Sequence, residues 1–190
     1  MNPPAATDFL KGQFLMAMPS LDDPYFARSV ICLSEHNDNG AFGLVVNKVH
    51  ALLKMPSILE ELQLPCSGEL AEAPVYVGGP VHVNEIFILH EAPFEWQGTL
   101  MISDRLAMSN TIDLLKAIVD GAGPRRYLIA MGCSGWGPGQ LEMEMRENAW
   151  LSSPVSDDIL FEVSIEERWE QAVRKMGINP ALLSGAAGHA

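Results

Sequence analysis

The chain is short of cysteine, of basic residues and of long apolar runs, and each shortage excludes something. Its three cysteines, Cys32, Cys66 and Cys133, are odd in number and widely spaced. They form no Cys-x-x-Cys pair and no disulfide framework, which points to a reducing compartment. Lysine and arginine number 12 against 24 aspartates and glutamates, a formal charge of −12. That field repels phosphate backbones, so direct nucleic-acid binding would need a concentrated basic patch. None is visible: Arg125-Arg126 is the nearest cluster, and Arg168, Arg174 and Lys175 are interleaved with Glu166, Glu167 and Glu170. No apolar run approaches the ~20 residues that a helix needs to span a bilayer. Residues 1–8 carry neither a basic region nor a long apolar segment, so they do not read as a signal peptide. The expected location is the bacterial cytoplasm, with no membrane association.

What is present describes a globular chain. Apolar residues make up 48% and charged residues 19% of the 190, a length that suits one domain with a proper core. We expect a single domain over 1–190 with loose termini at 1–8 and 184–190, and no repeat or linker.

The run from Gly12 to Met18 reads as a strand stopped by Pro19, and Pro19-Ser20-Leu21-Asp22-Asp23-Pro24 is turn chemistry. Ser29–His36 and Ala41–Asn47 are apolar runs separated by Asn37-Asp38-Asn39-Gly40, a β-hairpin signature. Pro56–Leu62 suggests a short helix capped by Ser57. Val75–Val77, Glu85–Leu89 and Thr99–Ser103 read as strands. A helix over 110–120 places Ile112, Leu115, Ile118 and Val119 on one face and stops at Gly121. Ala149–Leu151 and Ile159–Val163 suggest two further strands. Ser164-Ile165-Glu166-Glu167 is a capping box, opening a helix whose buried stripe is Ile165, Trp169, Ala172, Val173 and Met176. Irregular alternation with hairpins favours an α+β fold with a mixed sheet.

The centre of interest is Gly132-Cys133-Ser134-Gly135-Trp136-Gly137-Pro138-Gly139, between the strand Tyr127–Met131 and the helix formers Gln140–Glu147. It reads as a Gly-rich turn ending at a helix N-terminus, able to hold an anion or to serve as a tight corner plugged by Trp136. Its spacing matches neither a phosphate-binding loop, nor a dinucleotide fingerprint, nor a nucleophile elbow. Cys133 before a helix N-terminus could be an activated thiol, the bland alternative being a small residue in a turn. Glu35-His36 and His90-Glu91 at strand ends could bind a metal if they met, but no ligand spacing supports one. Asp22, Asp23 and Arg28 bracket a turn where arginine could clamp a carboxylate or phosphate or simply pair internally.

These stretches together resemble one family. Residues 14–30 (Phe-Leu-Met-Ala-Met-Pro-Ser-Leu-Asp-Asp-Pro-Tyr-Phe-Ala-Arg-Ser-Val) look like the opening block of the AlgH/YqgE family of bacterial proteins. Residues 35–47, Val77–Val81 with Leu89-His90, and Gly135–Glu142 match its later blocks in order, across residues 12–176. The resemblance implies a single α+β domain whose bent or bifurcated mixed sheet is partly closed into a small barrel and flanked by helices. It implies no cofactor, no metal and no established chemistry. The family's name links it to regulation of alginate production, yet its pattern contains no DNA-binding module. Where this chain has Cys133-Ser134, the family pattern commonly has an aromatic and a small residue, so a thiol is not a fixed part of the motif.

The matching positions predict one cleft walled by Trp136, with Asp23, Arg28, Glu35, His36, Asn47, His90 and Gln140 as its polar groups. Pro19, Gly40, Gly79, Pro80, Gly135 and Gly139 are expected as its structural turns. The expected activity is that of a binding or regulatory protein acting on a small anionic ligand or a protein partner. The alternatives are an enzyme using strand-end Glu, His and Arg groups or Cys133, and, last, a direct DNA-binding regulator.

Overall fold

The computed structural model describes residues 9–66 and 68–183, so the loose termini expected at 1–8 and 184–190 lie outside the described residues. Among the described residues, nine strands and five α-helices follow one another as β1 (Gln13–Ala17), β2 (Val30–Asn37), β3 (Gly40–Val45), α1 (Met55–Glu61), β4 (Val75–Val77), β5 (Val81–His90), β6 (Leu100–Met101), β7 (Ala107–Ser109), α2 (Ile112–Val119), β8 (Tyr127–Trp136), α3 (Gln140–Arg146), β9 (Trp150–Pro154), α4 (Asp157–Phe161) and α5 (Arg168–Lys175). The strands form one mixed sheet in the order β6-β7-β5-β8-β3-β2-β1-β9, with β4 attached to β8 off that path. Among the described residues only the β4–β8 pairing is parallel.

The sheet branches at β8. The first half of β8 pairs with β5 on one side and β4 on the other, through Val75↔Ile129 to Val77↔Met131. Its last residues pair instead with β3, from Ala41↔Trp136 to Gly43↔Ser134. At the fork the Gly78 carbonyl accepts from both Val45 N–H (2.9 Å) and the Ser134 hydroxyl (3.0 Å). Glycine is required there by contact: a Cβ on Gly78 would lie 2.1 Å from the Gly132 carbonyl oxygen, and one on Gly132 would lie 2.6 Å from that of Gly79. This is why the Gly-rich stretch is not the turn its composition suggests. Residues 132–136 continue the strand, with glycine admitting close backbone approach, and the turn is confined to 137–139, where Gly139 at φ 72° caps α3.

The bent sheet wraps a central core of Phe14, Met16, Val30, Cys32, Phe87, Leu89, Leu128 and Trp169, closed by α4 and α5. On the outer face of the β1–β2–β3 half, α3 covers Leu15, Ile31, Leu33, Trp136 and Trp150. On the outer face of the other half, α1 and α2 cover Val75, Ile88 and Ile129. Both faces are thus covered, and the strands accordingly read as continuous apolar runs such as Val30-Ile31-Cys32-Leu33. The expected partial barrel does not close: among the described residues the edges β6 and β9 share no ladder, so the sheet is not closed by hydrogen bonds.

The hairpin is as expected, with Asn37 paired to Gly40 across Asp38-Asn39. Other expectations are corrected. Residues 159–163 are not a strand: Asp157 and Asp158 in the first turn favour helix α4, and a short apolar run has no period of its own. Strand β7 went unread because Ala107-Met108-Ser109, unlike the equally short Val75-Tyr76-Val77, carries no β-branched or aromatic side chain. Ser57 lies inside α1, which starts at Met55 with Pro56 in its first turn and Lys54 as cap. Ile112 is exposed, and the buried face of α2 is Leu114, Leu115 and Ile118. The Ser164 hydroxyl bonds the Glu167 carboxylate (2.7 Å) instead of the helix backbone.

Candidate functional site

The predicted site residues fall into three hydrogen-bonded groups. The first is built on the loop joining β1 to β2. Asp23 Oδ1 accepts from the N–H groups of Tyr25 (2.7 Å) and Phe26 (3.2 Å), tightening the turn. Arg28 closes the loop at φ 54°, a left-handed conformation uncommon for a residue with a side chain. Asn47 holds it there: its Nδ2 donates to the Arg28 carbonyl (2.8 Å) and its Oδ1 accepts from Val30 N–H (2.7 Å). Lys48 adds a bond from Nζ to the Tyr25 carbonyl (2.6 Å), and burial lowers its pKa against the opposing pull of Asp23. The Arg28 guanidinium lies 4.4 Å above the Trp169 ring and 3.2 Å from Glu170 Oε1. It stands at a pocket of about 310 Å³ lined by Met18, Pro19, Leu21, Ala27, Trp169 and Pro180.

The second group sits across the sheet, under α3. His36 is buried at the hairpin end. Leu10 N–H donates to its Nδ1 (2.9 Å), so Nε2 carries the proton and donates to Glu142 Oε1 (3.1 Å). Glu142 Oε2 is buried without a partner among the described residues. Glu144 Oε2 accepts from both Trp136 Nε1 (2.9 Å) and Trp150 Nε1 (2.8 Å), while its Oε1 accepts from Gln140 (2.9 Å). Gln140 also accepts from Gly137 N–H (3.0 Å). Glu35 faces Lys11 at 3.7 Å and accepts from Asn37.

His90 forms the third group, on the other half of the sheet. Its Nδ1 meets the Glu91 carbonyl (2.8 Å) and its Nε2 meets Ser109 Oγ (3.0 Å), with Trp96 edge-on at 5.3 Å. Burial lowers its pKa, only partly offset by the Glu91 carbonyl.

The structure therefore brings Pro19, Asp23, Arg28 and Asn47 together, and gathers His36, Trp136 and Gln140 around α3, while Glu35 pairs apart from them with Lys11 and Asn37. It does not gather all eight polar and aromatic groups into one cleft. Trp169 belongs to the central core and Trp136 to the outer one, so Arg28 and Trp136 lie on opposite faces of the sheet. Phe26 links the groups, stacking on Trp136 at 6.4 Å from the loop that carries Arg28. Of the predicted turns, Gly40 (φ 122°) and Gly79 (φ 151°) are close backbone approaches, Pro80 is exposed after the fork, and Gly135 is within β8.

Cys133 is not at a helix N-terminus. It is buried in β8, where desolvation, with Glu85 adding to it, pushes the thiol up to about 11, and burial pushes Cys32 up to about 12. Both are protonated at neutral pH, the reverse of an activated nucleophile. Among the described residues, no three His, Cys, Asp or Glu side chains cluster as a metal site. No helix among them is long and apolar enough to cross a membrane.

Two residues escaped the sequence reading. Glu144, which ties both tryptophans to α3, carries no sequence signal beyond its place in the helix. Arg168 had one: it falls at helical spacing from the buried Ala172 and beside Trp169 and Val173, and is itself 4% exposed.

The fold and these matched positions define an α+β class with a branched sheet, a shape shared with solved proteins. The chain belongs to the AlgH-like family, whose model matches residues 14–181. It is 43% identical to a UPF0301 protein of Desulforapulum autotrophicum over 175 residues, covering 92% of this chain and 93% of that one. A UPF0301 protein of Ralstonia nicotianae is 42% identical, with both chains fully covered. The solution structure of the AlgH protein from Pseudomonas aeruginosa superposes with a TM-score of 0.80 at 42% identity, covering both chains in full. The crystal structure of protein DIP2367 from Corynebacterium diphtheriae shares the fold at a TM-score of 0.72 and 21% identity, covering 96% of this chain and 93% of that one.

Proposed function

We propose that this protein is a cytoplasmic binding protein with a regulatory role, whose ligand is a small carboxylate carrying an apolar body. The supporting observation is Arg28. A residue with a side chain held at φ 54° costs about 1–3 kcal/mol, and here Asn47 and Asp23 enforce it. The strain sets a guanidinium over the Trp169 face at the mouth of a pocket whose other walls are Met18, Pro19, Leu21, Ala27 and Pro180. A carboxylate would take the guanidinium in place of the exposed Glu170 pairing, and its hydrocarbon part would lie against Trp169. The three free cysteines agree with a reducing compartment.

The test is a thermal-shift panel of short and medium-chain carboxylates on the wild type and Arg28→Gly. Glycine accepts the left-handed backbone without strain. The variant should therefore melt within a few degrees of the wild type while losing the ligand-induced shift. A carboxylate shift of equal size in both proteins, or no shift in the wild type at millimolar ligand, refutes the assignment.

A further inference from the structure

We propose a second anion site, on the other side of α5 from Arg28, that takes a small phosphate monoester. A cleft of about 330 Å³ is lined by Arg125, Arg126 and Arg168 together with Tyr76, Tyr127 and Phe161. Three arginines in one cleft are a concentration of positive charge on a chain whose formal charge is −12.

Arg168 carries the argument. It is a buried cation, 4% exposed, and no hydrogen bond or ion pair joins it to a carboxylate among the described residues. Its Nε donates to the Val163 carbonyl (3.2 Å), and its Nη1 to the Val46 carbonyl and to the Tyr76 hydroxyl (3.1 Å). Nη2 makes no hydrogen bond to any described residue. A guanidinium taken out of water is costly without a counter-charge. Neutral acceptors fix its orientation and leave its charge and one edge of its fork available.

The other two arginines fill different parts. Arg126 is already matched, by Glu91 (2.8 Å from Nε) and Glu162 (3.7 Å), and lies 5.0 Å from the Phe161 ring. It fixes the wall. Arg125 is exposed and makes no hydrogen bond or ion pair with a described residue, so it is free to swing onto a ligand. Glu69, also in the lining, sets the limit: it repels a second negative centre on its side and places the oxyanion between Arg125 and Arg168. The half-buried Tyr127 and the neighbouring apolar side chains leave room for a planar ring. Oxyanion plus ring, at this volume, describes a nucleoside monophosphate or a compound of similar size.

Isothermal titration calorimetry would use adenosine monophosphate, inorganic phosphate and benzoate as probes. The expected result is sub-millimolar binding of the monophosphate and weaker binding of phosphate. Arg125→Ser should weaken both at least tenfold with an unchanged melting temperature, because Arg125 supports nothing in the fold. Arg168→Lys, which keeps the charge and loses the fork, should weaken them by a similar factor, and Arg28→Gly should leave them unaltered. Binding of benzoate alone would overturn the phosphate assignment. Absence of binding by all three probes, or binding untouched by Arg125→Ser, would overturn the site and reduce Arg168 to a clamp on the Val46 and Val163 carbonyls. If Arg168→Lys fails to fold, the Arg125→Ser result decides alone.

Discussion

At the scale of single residues, burial sets the chemistry. His90 has one nitrogen against a carbonyl and the other against a hydroxyl, and Trp96 and Phe94 pack on its ring. Its pKa is lowered from 6.5, so the unfolded chain binds this proton more readily than the folded one. Stability from His90 is therefore complete above pH 6.5 and is lost as pH falls from there through the lower folded value. The melting temperature should drop between pH 7.5 and 5.0. The drop should be smaller in His90→Asn, whose amide can still donate to the Glu91 carbonyl. Equal pH slopes in the two proteins would remove His90 as the cause. Asp158 adds a separate loss at lower pH, since bonds from Lys175 and Ser156 hold its carboxyl down to about 2.

At the scale of elements, the fork of β8 organises the molecule. Val75–Val77 pairs along its first half and β3 along its end, and the crossing is possible because Gly78, Gly79 and Gly132 bring their backbones together. Gly78 does not need glycine for its φ but for space. Gly78→Ala should cost about 3 kcal/mol or more, because the atom met at 2.1 Å is a backbone carbonyl that cannot rotate away. Gly121→Ala makes the comparison: no neighbour stands within 4 Å of its Cβ, and its only cost is the positive φ of 72°. Urea titration of both variants would separate the two mechanisms, and a smaller loss for Gly78→Ala than for Gly121→Ala would refute the steric reading of the fork. The element-level expectations that held, the hairpin at Asp38-Asn39 and the helices α2 and α5, rest on chemistry local in sequence. The Gly-rich turn failed because of contacts with residues far along the chain, and the strand at 159–163 failed because a short apolar run does not distinguish a strand from the helix that Asp157 and Asp158 open.

At the scale of the whole molecule, the charge of −12 is a cost to compactness. Raising ionic strength from about 0.01 to 0.15 M shortens the screening length from about 30 to about 8 Å. The melting temperature should rise over that range. A fall would mean that specific ion pairs such as Arg126–Glu91 outweigh the general repulsion.

The sequence by itself determined the family, the α+β class, the order of most elements and the acidic field, because these follow from local pattern and composition. It also marked Asp23, Arg28 and Asn47, which meet around one loop although 24 positions separate the first from the last. Only the tertiary structure decided that Trp136 and Trp169 face different cores, that His90 stands apart on the other half of the sheet, and that Arg168 is a buried cation. Which face a side chain occupies depends on strand pairing and on where the sheet branches. That branching is set by the meeting of glycine backbones more than 50 residues apart, a contact that no local pattern encodes.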